Sequence, residues 1–132
     1  MDIIRRGEKL GTLRIKQAWA PLNYDILASS KSLLAAVART DGILYYVLPL
    51  ELRQEASTRP VPRRGDVLIL PQHRAIGIAL EDADPPPFPV TRAGDVAEGL
   101  ERLGQLKPGD VVILKFREVI EEDREEDGEG DG

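Results

Sequence analysis

Short apolar runs, separated by glycine, proline and polar residues, follow one another along the chain, and their lengths are typical of strands. Residues 10–15 alternate in polarity and predict a first strand. The runs 32–39 and 43–48 lie on either side of Asp41-Gly42, a dipeptide that favours a tight hairpin because such turns need positive φ. Although 32–39 is rich in helix formers, this turn and the β-rich run after it predict strand–turn–strand over 32–48.

A second pair of apolar runs, 67–70 and 75–80, is joined by a short polar link and predicts another hairpin. Residues 82–89 are rich in proline and predict an extended loop, since proline supplies no backbone donor and restricts the residue before it. The last apolar run, 111–116, predicts a final strand that is buried over most of its length.

Two short helices accompany these strands. One is predicted to start near Pro21, because proline is tolerated at the first helical position. The other is predicted over 95–103, where Val96, Leu100 and Leu103 recur at i, i+4 and i+7 and Asp95 lies near the helix start.

The elements sum to six or seven strands and two short helices in 132 residues, which is ordinary for one domain. For a β-rich domain of this size we expect an all-β fold in which the strands form a closed or nearly closed antiparallel barrel. Closure would remove strand edges that could otherwise pair with other chains.

Charge is distributed unevenly along the chain. Residues 118–132 hold nine acidic residues and one arginine, a net charge of −8, whereas the whole chain carries −5 and the other residues therefore carry +3. The acidic segment has almost no apolar surface and is predicted to be a disordered tail. We therefore predict a barrel domain over 1–117 and a tail over 118–132.

Several classes of function are excluded or disfavoured by composition. The chain has no cysteine, which excludes disulfides and thiolate chemistry. The start lacks the apolar core of a signal peptide, and the longest apolar stretch is far shorter than the ~18 residues that span a bilayer, so we expect a cytoplasmic protein without a membrane partner. Thirteen arginines against five lysines, with one asparagine, resemble the composition of thermophile proteins.

An ordered set of segments carries a family resemblance over roughly residues 8–117. The segments are Gly65-Asp66-Val67, Leu70-Pro71, 75–80, Gly94-Asp95-Val96-Ala97-Glu98-Gly99-Leu100-Glu101, Leu103, Lys107, Gly109-Asp110 and Phe116. Together they resemble the cyclophilin-like family of small prokaryotic proteins, and the resemblance implies a cyclophilin-type barrel, mostly without an assigned function.

The resemblance makes an atypical peptidyl-prolyl cis-trans isomerase the enzymatic alternative. In true cyclophilins, which the cyclophilin-like family resembles, the catalytic arginine lies in a Phe-His-Arg segment that is followed by a Gln-Gly-Gly-Asp segment. Here Gln72 precedes His73-Arg74 and no Gln-Gly-Gly-Asp follows, so we expect no catalytic residues of that kind. A protease-coupled peptide assay distinguishes an isomerase from a binding module. His73 is the only histidine, and we expect neither a metal nor a cofactor.

Arg53, Arg59, Arg63 and Arg64 form the main basic cluster of the sequence. Nucleic acid binding is one interpretation, but the cluster lacks interleaved aromatic residues and the acidic tail would repel phosphates. A solvated loop is the second interpretation. A third is that the tail screens the cluster by weak, salt-sensitive attraction.

The sequence favours a non-catalytic module that binds a small ligand or a proline-containing peptide in a cleft between the 71–75 turn and the 82–89 loop. The candidate residues are Tyr46, His73, Arg74 and Phe88. Arg74 would hold a carboxylate or carbonyl, His73 would add a hydrogen bond, and the two rings would supply apolar contact. Neighbouring strand residues point to opposite faces, so either Tyr45 or Tyr46 faces the interior. An oligomerising or regulatory subunit is a further alternative.

Overall fold

Eight antiparallel strands close into a barrel in the computed structural model, which describes residues 1–40, 42–55, 61–84 and 90–117. The strands are β1 (Asp2–Arg5), β2 (Glu8–Ile15), β3 (Ser32–Thr40), β4 (Ile43–Val47), β5 (Asp66–Leu70), β6 (Ala75–Ala79), β7 (Thr91–Glu98) and β8 (Val111–Lys115). Their order around the barrel is β1-β2-β7-β5-β6-β4-β3-β8, and β8 pairs with β1. The predicted all-β class is confirmed.

Helical structure in the described ranges consists of α1 (Pro21–Ser30), the single turn α2 (Leu100–Leu103) and a 3₁₀ turn over Pro71–His73. The start of α1 at proline is as predicted. Within these ranges, no helix is both long and apolar enough to cross a membrane.

Both predicted hairpins are present. In the first, β3 pairs with β4 so that Ala36 lies opposite Val47, and in the second, β5 pairs with β6 so that Val67 lies opposite Ile78. The predicted turn residue Asp41 lies outside the described residues, and Gly42 has the positive φ, +80°, that a tight turn needs.

Strand alternation divides the apolar residues between the barrel interior and a patch on its outer surface. The interior cluster includes the fully buried side chains Ile3, Leu13, Leu44, Tyr46, Ile69, Ile76 and Leu114. A smaller cluster lies on the outer face of β4, β6 and β5 and comprises Ile43, Tyr45, Leu68, Leu70, Ala75 and Val90.

The predicted helix over 95–103 is wrong for most of its length, because the chain remains in β7 as far as Glu98. Strand β7 hydrogen-bonds to β2 on one side and to β5 on the other, and these two ladders outweigh the helical spacing of the apolar residues. Only Leu100–Leu103 is helical, after Gly99 turns the chain with a φ of +86°. Asp95 therefore lies on a strand and not at a helix start.

The final strand also differs from its prediction. Strand β8 alternates between exposed and buried residues, so that Val111 and Ile113 face outward while Val112 and Leu114 face the interior. No helix covers this side of the barrel in the described part of the chain, and a single buried face is enough for a barrel strand. Strand β1, which the sequence pattern did not indicate, has only four residues.

Helix α1 is held to the barrel by the segment before β5. The carboxylate of Glu55 accepts hydrogen bonds from the backbone N–H groups of Leu22 (3.0 Å) and Asn23 (3.1 Å), which are otherwise unsatisfied at a helix start. The fully buried Asn23 side chain also donates to the Arg53 carbonyl and accepts from the Arg53 N–H, both at 2.8 Å. The single asparagine of the chain thus joins helix and loop.

The predicted tail over 118–132 and residues 85–89 of the predicted proline loop lie outside the described residues.

Gly94 lies where β2 and β7 approach most closely, since a Cβ atom there would overlap the Arg14 carbonyl oxygen. We expect Gly94→Ala to lower the free energy of unfolding by more than about 3 kcal/mol, because the obstacle is backbone that cannot move aside. Urea unfolding followed by far-UV circular dichroism measures the change.

Gly104→Ala is the matched control. Gly104 has an ordinary helical conformation, with φ −66°, and an added Cβ would meet its nearest atom at 3.4 Å. The control should change stability by less than about 1 kcal/mol. Equal losses in the two variants would contradict the close-approach interpretation.

Candidate functional site: an arginine-lined groove

Asp66, at the start of β5, organises a groove on the outer surface of the barrel. Its side chain is nearly buried, and its Oδ1 accepts a hydrogen bond from Nε of Arg92 at 2.9 Å. Its Oδ2 accepts the backbone N–H of Arg63, also at 2.9 Å. One carboxylate therefore fixes both an arginine of β7 and the loop that precedes β5.

Arg92 also contacts the only tryptophan of the chain. Its guanidinium carbon lies 4.1 Å from the centre of the Trp19 ring, and the Nζ of Lys16 lies 4.3 Å from the same centre. Cations at these distances are attracted to the electron-rich face of the indole. Trp19 is therefore a spectroscopic reporter of the position of Arg92.

A second ion pair lies beside the first because of the strand register. Arg14 on β2 lies opposite Asp95 on β7, and Asp95 in turn lies opposite Asp66 on β5. The Arg14 Nη1 and the Asp95 Oδ1 are 3.1 Å apart. Two arginines and two aspartates from three adjacent strands thus line one face.

Arg63 and Arg64 complete the groove from the loop before β5. The backbone of this loop is held in place, because the Arg64 N–H donates to Asp82 at 2.9 Å and the Gly65 N–H donates to the Ala79 carbonyl at 2.8 Å. Both arginine side chains are exposed, and neither has an ion-pair partner among the described residues.

The groove is shallow and open to solvent, with about 550 Å³ of space between its lining residues. Its charged lining residues are four arginines and two aspartates, a local charge of +2. Guanidinium groups donate in a planar fork that matches the oxygens of phosphates and carboxylates. The groove can therefore hold an anion.

The described lining of the groove consists of arginine, aspartate, glycine and apolar residues. It contains no serine, threonine, cysteine, histidine, tyrosine or lysine that could act as a nucleophile or proton carrier, and both aspartates are engaged by arginines. Among the described residues, no group of three or more histidine, aspartate or glutamate side chains is placed to hold a metal ion.

The structure places Tyr46 apart from His73 and Arg74, with which it was predicted to form a cleft. Tyr46 points into the barrel interior and is fully buried, whereas Tyr45 points to the outer surface. Tyr46 therefore does not line an open cleft, contrary to its predicted place there. Phe88 lies outside the described residues.

His73 and Arg74 both lie exposed on the 71–75 turn, as predicted. The His73 ring packs edge-on against Tyr45, with the ring centres 5.4 Å apart. The Arg74 Nη2 is 3.5 Å from the Glu51 Oε2, in an exposed ion pair of the kind that adds little stability. Ligand binding by His73 and Arg74 stays a prediction.

The predicted basic cluster is also divided. Arg63 and Arg64 line the groove, Arg53 contributes its backbone to the contact with Asn23, and Arg59 lies outside the described residues. Sequence reasoning missed Arg14 and Arg92, which join the site only through the register of β2 and β7. No local signal indicated them, because Asp95 was predicted at a helix start and the pairing of β7 with β2 is long-range.

A similar fold occurs in the solution structure of the hypothetical protein AF2241 from Archaeoglobus fulgidus. The two chains are 19% identical, the match covers 87% of this chain and 92% of the other, and the TM-score is 0.65. At this level of identity the similarity shows the fold alone. No protein-family model and no curated protein matches the chain.

Tyr46 generates a prediction about stability, because its hydroxyl has no hydrogen-bond partner among the described residues. A buried hydroxyl without a partner costs about 1–3 kcal/mol, so Tyr46→Phe should leave the free energy of unfolding at pH 7 unchanged or raise it by about 1 kcal/mol. A loss of more than about 1 kcal/mol in urea unfolding would mean that the hydroxyl is bonded in solution.

The same substitution has a pH signature. Burial raises the pKa of the Tyr46 phenol well above its usual range. The unfolded chain then loses this proton above about pH 10 while the folded chain keeps it, so folding stability falls with rising pH by up to about 1.4 kcal/mol per pH unit. Tyr46→Phe should remove this part of the decline, and Tyr45→Phe serves as the control for loss of a phenol from β4.

Proposed function

We propose that the protein is a non-catalytic binding module that holds a small phosphorylated or carboxylated ligand in the arginine-lined groove. The observation that carries the proposal is the pairing pattern of its four arginines. Arg14 and Arg92 are engaged by aspartates, whereas Arg63 and Arg64 lie beside them without an ion-pair partner in the described ranges.

The two kinds of arginine have different parts in this proposal. The Asp66–Arg92 pair is largely buried and fixes the floor of the groove. Arg63 and Arg64 supply exposed donors to an incoming anion, and their backbone is already fixed by Asp66 and Asp82, which lowers the entropy lost on binding. Charge-assisted hydrogen bonds of this type are about twice as strong as neutral ones.

Inorganic pyrophosphate is a suitable probe, because it offers several phosphate oxygens and is smaller than the groove. We expect it to bind at low salt and to change the fluorescence of Trp19, which contacts Arg92. Arg63→Gln combined with Arg64→Gln should weaken binding at least about tenfold, since each lost charge-assisted bond contributes about 1.5–3 kcal/mol. Isothermal titration calorimetry measures the affinity independently of the fluorescence.

The matched control is Arg6→Gln combined with Lys107→Gln. Both residues are exposed and lie outside the groove, so this variant removes the same charge without changing the groove. Equal weakening in the two double variants would show that net charge alone attracts the probe. Absence of pyrophosphate binding to the unsubstituted chain would overturn the proposal.

A second candidate role, self-association, is supported by an apolar face on the opposite side of the barrel. The face comprises outward-pointing residues of β1, β8, β3 and β4, namely Ile4, Leu34, Ala36, Val47, Val111 and Ile113. Register makes these residues neighbours, because Ile113 lies opposite both Ile4 and Leu34, and Ala36 lies opposite both Val111 and Val47. Leu34 is 63% exposed and Val111 51%.

We propose that a second copy of this chain covers the apolar face. The exposed apolar area is on the order of 400 Å², the size at which a surface patch is often functional. About 800 Å² per partner is usual for a stable dimer, so the surrounding rim would supply the rest. The rim pairs Arg5 with Asp110 and Arg117 with Asp2, and such compensated charges do not repel an identical surface.

Leu34→Lys should weaken dimerisation at least about tenfold, because it places a charge at the centre of the apolar face. Sedimentation velocity over a range of protein concentrations measures the dissociation constant. Leu22→Lys is the control, since Leu22 is 49% exposed but lies on α1, away from the face. A monomer at every concentration would overturn this second proposal and leave the anion-binding proposal unaffected.

A further inference from the structure

We infer that the acidic segment 118–132 occupies the arginine-lined groove and competes there with the ligand. The inference rests on the proposed function, since it concerns the same groove. In this inference the segment acts as an intramolecular anion. Its occupation of the groove raises the ligand concentration that is needed to fill the groove.

Charge complementarity is the first observation that supports this inference. The segment carries a net charge of −8, the largest local charge of the chain, and its carboxylates are the groups that guanidinium forks recognise. The charged side chains that line the groove sum to +2, and Arg63 and Arg64 have no ion-pair partner in the described part of the chain.

The position at which the described chain ends is the second observation. Arg117, the last described residue, is anchored because its Nε lies 2.9 Å from the Asp2 Oδ2. Asp2 lies opposite Thr12 on β2, and its Oδ1 accepts a hydrogen bond from the Thr12 hydroxyl at 3.0 Å. Arg14 of the groove is two residues further along the same outward face of β2.

These positions bring the start of the acidic segment close to the groove. The path from Asp2 to Arg14 is one inter-strand step and two residues along β2, which is roughly 12 Å along the sheet. Fifteen residues can span up to about 50 Å when extended, so the segment reaches every arginine of the groove without strain.

Ion pairs between the acidic segment and the groove are weak individually, but covalent attachment of the segment to the barrel makes them effective. A segment tethered beside its binding surface has an effective concentration in the millimolar range, so individually weak ion pairs suffice to compete with a free anion. Exposed ion pairs are screened by salt, with a screening length of about 10 Å at 0.1 M. Competition should therefore be strong at low salt and fade as salt rises.

The experiment compares the full chain with a full-length variant in which every glutamate and aspartate of 118–132 is replaced by glutamine or asparagine. Titration calorimetry with inorganic pyrophosphate at 20 mM and at 200 mM NaCl gives the affinities. We expect the neutralised variant to bind at least about tenfold more tightly at the lower salt and the difference to shrink at the higher salt. A variant with the same tail residues in scrambled order keeps the charge and should behave as the unsubstituted chain.

A contact measurement separates occupation of the groove from a general effect of net charge. In ¹⁵N-labelled protein without pyrophosphate, neutralising the tail should shift the guanidinium Nε–Hε signals of Arg63 and Arg64. The signal of Arg6, which lies outside the groove, should stay in place. Shifts at all three arginines alike would overturn the inference.

The remaining outcomes are distinct. Equal pyrophosphate affinities for the charged and neutralised chains at 20 mM NaCl would overturn competition by the tail while the proposed function stands. Failure of both chains to bind pyrophosphate would instead overturn the proposed function, and the inference with it.

Discussion

Strand β1 closes the barrel, because its four residues pair with β2 on one side and three of them, residues 2–4, pair with β8 on the other. Two contacts hold the start of this strand in place. The Met1 ammonium group donates to the Leu13 carbonyl at 2.9 Å, and Arg117 bonds to Asp2. Without this short strand, β2 and β8 would each present an unpaired edge, which β-sheet proteins generally avoid. Because the ladder is closed, the register of each strand depends on the pairing of all the others.

The groove depends on that register more than on any local motif. Its arginines come from β2, from β7 and from the loop before β5, and they meet because β7 pairs with both neighbours. Asp66 connects the parts, since one nearly buried carboxylate holds the loop backbone and the Arg92 side chain. Loss of one partner of such a pair costs more than the pair itself contributes, because a buried charge is left uncompensated. Fold stability and the shape of the groove are therefore coupled at Asp66.

The hairpins were predictable from the sequence because their signals are local: two β-rich runs flank a short turn, as at 32–48 and 67–80. Strand β7 was not predictable, since its apolar residues also fit a helix and only pairing with distant β2 and β5 decides between the two. The sequence predicted that Tyr45 and Tyr46 point to opposite faces of the strand. Which of the two faces the interior depends on the register, which the sequence did not reveal. Of the groove, only Arg63 and Arg64 stood out in the sequence, because the contributions of Arg14 and Arg92 arise from long-range pairing.

The close approach of β2 and β7 has a consequence for how the sequence of this barrel can diverge. A Cβ atom at Gly94 would overlap the backbone of Arg14, and one at Gly11 would lie 2.7 Å from the Glu98 carbonyl oxygen. Both glycines are constrained by close packing, which for Gly11 includes the Leu103 side chain, whereas the arginines of the groove would be constrained by the proposed ligand. Over evolutionary time the two sets are free to change independently. A distant relative that has kept the glycines and exchanged the arginines would have inherited the barrel and adopted a different ligand.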